Sequence, residues 1–424
     1  MLFRSVCGAA VPGMPNVHSH AFQRAMAGLA EHRSSGNDSF WTWREAMYDL
    51  AGRMTPELLN AIATQLYAEM LKAGYTSVCE FHYLHRSHAA SESPDSDATT
   101  DAMVMSQALI DAATSAGIGL TLLPTLYQTS DFGGAAPTAR QRQFTLDTER
   151  YLALVQQLRG LRHSAQLEIG IALHSLRAVP PDAMRNVLEA MGSGGVVHIH
   201  IAEQQREVEA SIKRLGSRPI EWLVDHAPVD ERWCLVHATH ATEEELAAIA
   251  ARRAVVALCP TTEANLGDGY FPLPRYLAAG GGFAIGSDSQ ISLSPCEELR
   301  WLEYQARLQQ QERNICANRD NASVGANLWR GACVGGARAS GRRIGALEVG
   351  KRADIVVIHT DMPLFSHRND DAIIDTFVFS GAPSCISDVM VGGRWLVKDG
   401  RHFAETAIAA GYKRAMRSAA LTQM

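Results

Sequence analysis

Residues 233–261 read WCLVHATH, then ATEEELAAIAARR, then AVVALCPT. Trp233–His240 is a short apolar run that turns polar at its end, a candidate strand. Thr242-Glu243-Glu244-Glu245 places a hydroxyl three residues before a carboxylate, the start signal of a helix, which is predicted over Thr242–Arg252. Ala254–Thr261 is again apolar. Strand, helix and strand in that order pair in parallel through a right-handed crossover.

The same unit recurs on both sides. The other candidate strands are Pro15–His20, Ser77–Tyr83, Leu120–Tyr127, Glu168–Ser175, Val196–Glu203 and Phe283–Ser289. Between them, helical periodicity covers Pro56–Ala73, Ala98–Ala116, Leu146–Leu161, Pro180–Met191 and Arg218–Asp225. Eight such units over residues 14–290 predict an α/β fold of the (β/α)8 barrel type, which typically needs about 250 residues. An open doubly wound sheet is the alternative, but no Gly-x-Gly-x-x-Gly turn follows the first strand. Beyond Ser289, Pro295–Gln311 and Ser323–Gly335 read as helices. Ala353–Ile358, Thr376–Ser380, Ser387–Val391 and Arg394–Val397 read as short strands, the last two as a hairpin around Gly392-Gly393. The expected division is 1–13 as the remnant of a small β domain, 14–340 as the barrel, and 341–424 as the rest of the β domain with a terminal helix.

Composition narrows the function. The chain has 424 residues, 46% hydrophobic and 20% charged, which excludes a disordered or collagen-like protein. Its formal net charge of −6 argues against nucleic acid and anionic membrane, since both require a basic face. No apolar run reaches the ~18 residues of a transmembrane helix. The start, Met1–Cys7, is faintly signal-like but short, and is read as untargeted, which implies a cytoplasmic protein. The eight cysteines form no Cys-x-x-Cys pair, so neither a disulfide framework nor a cysteine zinc site is expected, and core packing is the default for them.

The 16 histidines say more. In such a barrel, catalytic side chains gather at the C-terminal ends of the strands. There the sequence places His18 and His20, then Glu80, His82 and Tyr83, then His174, then His198, His200 and Glu203, then His237 and His240, and Asp288. A single histidine is more often structural than a ligand; histidines recurring at one rim are not so easily set aside. Residues i and i+2 of a strand share a side, so His18 and His20 can converge on one ion. Val197-His198-Ile199-His200 offers a second such pair. A third nitrogen and a carboxylate would complete a catalytic metal site with one position left for water. Asp288 ends an apolar strand, where a dication would remove the cost of desolvating it.

These residues resemble the amidohydrolase superfamily, and within it the formimidoylglutamate deiminases of histidine degradation. The resemblance rests on Met14-Pro15-Asn16-Val17-His18-Ser19-His20, on Ser287-Asp288-Ser289, and on the more specific stretches Pro12–Gly28, Ser39–Arg44, Ala73–Tyr83, His174–Ala178, His198–Gln204, Leu235–His240 and Thr261–Gly269. It implies one Zn2+ per chain, with Fe2+ or Mn2+ also suited to such ligands. It implies metal ligands His18, His20, His200 and Asp288, leaving His198 structural. Glu203, His237 and Asp288 then become catalytic, and Gln23, Arg44, Tyr83, His174 and Arg177 hold the substrate. The implied reaction is hydrolysis of N-formimino-L-glutamate to N-formyl-L-glutamate and ammonia, by a homodimer with a small-molecule substrate only. Members usually begin with several strands of a β-sandwich; here about a dozen residues precede the first barrel strand, so that small domain is expected to be N-terminally truncated.

Rival readings are a related deaminase acting on a purine or pterin, a deformylase acting on the next intermediate, and a non-catalytic barrel that binds a small acid. The zinc nucleoside-deaminase fold is disfavoured, because no Pro-Cys-x-x-Cys occurs.

Overall fold

The computed structural model describes residues 8–32, 39–88, 97–161 and 164–419. The reading of Met1–Cys7 lies outside them. The barrel strands are β2 (Met14–Ser19), β3 (Tyr75–His82), β4 (Gly119–Leu126), β5 (Leu167–Ile169) with β6 (Ile171–Leu173), β7 (Val197–Ile201), β8 (Trp233–His237), β9 (Val255–Leu258) and β10 (Gly282–Ile285). All pair in parallel, in the order β3-β2-β10-β9-β8-β7-β6-β4, and β4 closes the circle by pairing with β3. Segments β5 and β6 share one place in the wall, both bonded to β4 and interrupted at Gly170. This is the predicted (β/α)8 barrel.

The intervening helices follow their sequence signals. In Pro56–Ala73, Thr55 accepts the Leu58 amide, Pro56 opens the first turn, and Gly74 ends the helix in a left-handed conformation. Its buried stripe (Leu58, Leu59, Ile62, Leu66, Met70) has helical spacing and lies in the hydrophobic core.

A second sheet is antiparallel. Strand β1 (Ala9–Pro12) pairs with β11 (Ile355–Ile358), which continues through β12 (Ile386–Val391) and β13 (Arg394–Lys398) to β14 (Arg401–His402). The chain passes from this sheet into the barrel within one residue, Gly13, whose amide donates to Asp354 O at 3.0 Å. The β1 segment therefore lies where the small β domain was expected to begin, and Arg394–Lys398 forms the second arm of the expected hairpin.

Two expectations need correction. Thr376–Ser380 is not a strand but the second half of a helix, Asp371–Ser380. Ile373 and Ile374 precede Phe377 and Val378 by four residues, which is a helical repeat, and Phe377 and Val378 are the buried members. The barrel strands also stop two to four residues earlier than the apolar runs suggest at five of their ends: β7 at Ile201, β8 at His237, β9 at Leu258, β10 at Ile285 and β6 at Leu173. The polar residues thought to end strands, such as Glu203, His240, His174 and Asp288, therefore stand on the turns just beyond.

The seven described cysteines are free and buried, as the core reading requires. No helix among the described residues is long and apolar enough to cross a membrane.

Helix Val324–Ser340 lies against β10 and β2 through glycines. A Cβ at Gly335 would sit 1.9 Å from the Phe283 carbonyl oxygen, a backbone atom that cannot swing aside. We expect Gly335→Ala to destabilise the protein by about 1–3 kcal/mol, the range of overpacked cores, whereas Val334→Ala next to it, at an exposed position, should change little. Thermal midpoints of the two variants measure this.

Candidate active site

At the C-terminal mouth of the barrel the alternation of the strands turns His18, His20, Phe81, Tyr83 and His200 inward. His18 is on β2 and His20 follows its last residue, and Phe81 from β3 packs its ring 4.3 Å from that of His200, centroid to centroid. His237 ends β8. Asp288 follows β10, bonded through its amide to His18 O at 2.9 Å and through its carbonyl to the His20 amide at 3.1 Å. Several turns at this rim use left-handed backbone at residues other than glycine: Ala202 (φ 50°), His237 (φ 69°), Ala238 (φ 51°) and Asp288 (φ 46°). Such conformations are costly and cluster at functional sites.

The imidazoles are oriented from behind. His20 Nδ1 lies 3.0 Å from the Phe81 carbonyl oxygen, His200 Nδ1 3.0 Å from the His174 carbonyl oxygen, and His237 Nδ1 3.1 Å from Glu263 Oε1. The two carbonyl oxygens can only accept, so His20 and His200 donate from Nδ1 and turn an Nε2 lone pair to the cavity, while Glu263 accepts from His237 Nδ1. In the cavity the Nε2 atoms meet one another and Asp288. His18 Nε2 is 2.9 Å from His200 Nε2 and 3.5 Å from Asp288 Oδ1; His20 Nε2 is 3.3 Å from the same oxygen; His237 Nε2 is 3.6 Å from Asp288 Oδ2.

Ligand atoms about 2.0–2.1 Å from one tetrahedral ion stand about 3.3 Å apart, so these separations suit a single small cation. His18, His20 and Asp288 form one buried triad of potential ligands, and His18, His200 and His237 another. The chemistry of the set agrees. Burial lowers the pKa of His18, His20 (to about 3) and His200, which keeps them as neutral donors. Burial also raises Asp288 to about 7, a penalty that a cation would reverse. His237 differs: burial opposes its charge, but Glu203, Glu263 and Asp288 together lift it to about 10.

His198 points to the same side as His200, one layer deeper. Its Nε2 lies 2.7 Å from the Ala339 carbonyl oxygen at the floor of the barrel, so that nitrogen is turned away from the cluster. Glu80 faces outward instead, where Ser19, Tyr67 and the Ala21 amide donate to it. His82 faces outward as well, toward His85. His240 lies against Gly269, outside the cavity lining.

Above the cluster opens a cavity lined by His20, Gln23, Arg44, Tyr83, His174, Arg177, His200, Glu203, His237 and Asp288. Every site residue expected from the sequence is thus brought to one place, His18 lying just beneath the lining. Gln23 donates to the Tyr83 hydroxyl at 2.9 Å. Glu203 Oε1 is 3.7 Å from His237 Nε2, and burial raises its pKa. Arg177 is partly buried; burial opposes its charge, Tyr127 and Glu207 favour it, and the balance holds it above the ordinary arginine value. Arg44 stands on helix Phe40–Ala51, its guanidinium 4.5 Å from the Trp41 ring and 5.4 Å from that of Tyr48. Its Nε is buried without a partner among the described residues.

Sequence reasoning missed Tyr127, Glu207, Glu263 and Asp268. Tyr127 ended a candidate strand and could have been found by the strand-end rule. Glu263 and Asp268 lay inside a quoted motif, but they act through a helix that periodicity did not reveal, Pro260–Leu266.

The amidohydrolase family pattern matches residues 9–396. The chain belongs to the amidohydrolase family. It is 50% identical over 398 residues to the formimidoylglutamate deiminase of Pseudomonas aeruginosa, covering 94% of this chain and 86% of that one. It is 28% identical to the 8-oxoguanine deaminase of the same organism, over 92% of this chain and 82% of that one. Among solved structures, an amidohydrolase from Brucella melitensis superposes with a TM-score of 0.89 at 44% identity, covering 97% of this chain and 89% of that one. An adenosine deaminase from Xanthomonas campestris with bound zinc shares the fold, with a TM-score of 0.80 at 21% identity over 97% and 86% of the two chains.

Two measurements follow from the layering of His198 and His200. Metal analysis of purified protein should show a sharp loss for His200→Ala and near-normal content for His198→Ala; equal losses would mean that both reach the ion. Burial also lowers His198 from 6.5 to about 4. A depressed value means stability that is complete above the unfolded value of 6.5 and lost as the pH falls toward 4. The drop in thermal midpoint between pH 7 and pH 5 should therefore be smaller in His198→Leu than in the parent.

Proposed function

We propose that this amidohydrolase hydrolyses the formimino C=N bond of N-formimino-L-glutamate, giving N-formyl-L-glutamate and ammonia in histidine degradation. The observation that carries this reading is the pairing of Arg44 and Arg177 at the wall of the cavity that the histidine–aspartate cluster floors. The Arg44 guanidinium lies 5.4 Å from the Tyr48 ring, and Arg177 borders the same cavity. A dicarboxylate with a reactive group at its α-nitrogen matches two cations and a metal-type cluster; a purine, as in the 8-oxoguanine relative, carries no such pair of anions. The identity to the Pseudomonas deiminase supports the same choice.

His18, His20, His200 and Asp288 would hold a zinc ion, with His237 alongside. When bound, such an ion supplies Lewis-acid polarisation and makes a hydroxide-strength nucleophile available near pH 7. Arg44 and Arg177 bind the two carboxylates, a task for which the planar guanidinium is suited. Gln23, Tyr83 and His174 border the same space and orient the chain of the substrate. As water adds to the formimino carbon, Asp288 accepts its proton. Glu203, whose pKa burial raises, gives a proton to the departing nitrogen, so that ammonia leaves. His237, held by Glu263, donates from Nε2 toward the developing tetrahedral centre. The reading places the enzyme in the cytoplasm as a homodimer.

Ammonia release from N-formimino-L-glutamate, with and without a chelator, tests the reaction; a protein that releases formate instead, or that prefers a purine, sinks the proposal. The substrate class has its own test. Arg177→Met should raise KM by the ~2–5 kcal/mol expected when one member of a desolvated charge pair is removed. A formimino compound lacking one carboxylate should be much less affected by the change. Equal damage to both substrates would show that Arg177 supports the fold rather than the anion.

A further inference from the structure

The carboxyl of Glu203 has no hydrogen bond of its own among the described residues; its nearest recorded partner, His237 Nε2, is 3.7 Å away. Its place is therefore set by the backbone on either side. Before it stands Ala202 in left-handed backbone. Its own amide donates to Glu207 Oε2 at 3.0 Å. After it comes Gln204, whose side-chain amide donates to Asp268 Oδ1.

Asp268 is an unusual partner. It is 5% exposed, and its Oδ2 is buried with no partner among the described residues. Burial, then the charge of Glu203, push its pKa up to about 9. Three further groups of the site, His237, Glu263 and Asp288, also act on it. Placing another carboxyl among carboxylates is costly unless the site uses it.

Its position is fixed by one short helix. Pro260–Leu266 follows β9 directly, and its first four residues are buried. From it, Glu263 accepts the Cys259 amide at 2.9 Å and holds His237 Nδ1 at 3.1 Å. The helix ends at Gly267 in left-handed backbone, and the Asp268 amide turns back to the Glu263 carbonyl oxygen at 2.9 Å. The same short helix that orients His237 thus also aims Asp268 at Gln204.

We propose that Asp268 is a positioning residue for proton transfer to the leaving nitrogen: it grips Gln204, fixes the Ala202–Gln204 turn, and so holds the Glu203 carboxyl beside His237. Helix Pro260–Leu266 then sets both proton-handling groups at once. The inference rests on the reading of Glu203 as the proton donor.

The test uses the metal-loaded enzyme and four variants: Asp268→Ala, Asp268→Asn, Gln204→Ala, and Asp268→Ala with Gln204→Ala. Misplacing a reacting group by about 1 Å costs on the order of 100-fold. Asp268→Ala should therefore lower kcat by about 10- to 100-fold while KM stays within about threefold and metal content is unchanged. Asp268→Asn should recover most of kcat, because its side-chain carbonyl still accepts from Gln204. The double variant should be no slower than the slower single one, since both remove the same contact. A normal kcat in Asp268→Ala, no recovery in Asp268→Asn, or losses that multiply in the double variant would each overturn the proposal. If Asp268→Ala fails to fold or to hold metal, Gln204→Ala decides alone: a lowered kcat supports the grip and a normal one overturns it. Glu203→Gln separates the two readings. Its turnover should fall by about 10²–10⁴-fold. A normal rate there removes the proton donor and the positioning role together; a dead Glu203→Gln with a normal Asp268→Ala removes the positioning role only.

Discussion

Three of the four imidazoles at the barrel mouth are set by hydrogen bonds made on the side away from the cavity. Burial keeps His18, His20 and His200 neutral, and a neutral imidazole has one N–H and one lone pair. The Phe81 and His174 carbonyl oxygens and the Glu263 carboxylate each take an Nδ1 proton. Two of the three acceptors are backbone, so ring orientation is tied to strand position: Phe81 sits on β3, whose Glu80 pairs with Ser19 between the two histidines of β2. A slip by one residue would move the whole set to the outer face. The cluster is therefore a property of the closed barrel rather than of any local motif.

Charge is graded along the cavity. Near its floor, Glu203, Glu263 and Asp288 surround His237 and, against burial, raise its pKa. The cavity wall carries Arg44 and Arg177. Helix Phe40–Ala51 contributes to the cationic end. Trp41 has a second guanidinium, that of Arg206, 4.4 Å from its ring, and Arg140 pairs with Glu45 and Asp49 on the solvent side.

Much of this was legible in the sequence, for definite reasons. Parallel strands buried in a barrel leave apolar runs, and His18 with His20 keep the i, i+2 spacing that puts both on one side. What was not legible has equally definite causes. Thr376–Ser380 is β-rich in composition, and only the preceding turn, with Ile373 and Ile374, reveals its helix. The strand ends were overrun because left-handed turns at Ala202, His237 and Asp288 leave no trace in hydropathy. Glu263 and Asp268 act through a helix of seven residues, Pro260–Leu266, too short to show a periodic stripe.

The left-handed residues themselves explain why the rim is built as it is. Glycine would adopt these angles without strain, but glycine has no imidazole and no carboxylate, and the site needs both at the point where the chain turns. Strain at Asp288 is held by bonds on both sides of the residue, from its amide to His18 and from the His20 amide to its carbonyl. Gln290, also left-handed, adds a brace: its side-chain amide donates to Ser19 Oγ and to Asp288 O, and its oxygen accepts from Ser287 Oγ. Glycine is used where the backbone itself must come close. A Cβ at Gly286 would lie 2.6 Å from that of His18, so only glycine lets β10 approach β2 near enough for Asp288 to reach the histidines. The aspartate and the glycine two residues before it thus meet opposite demands of one site, side-chain chemistry at a strained angle and an empty space beside it.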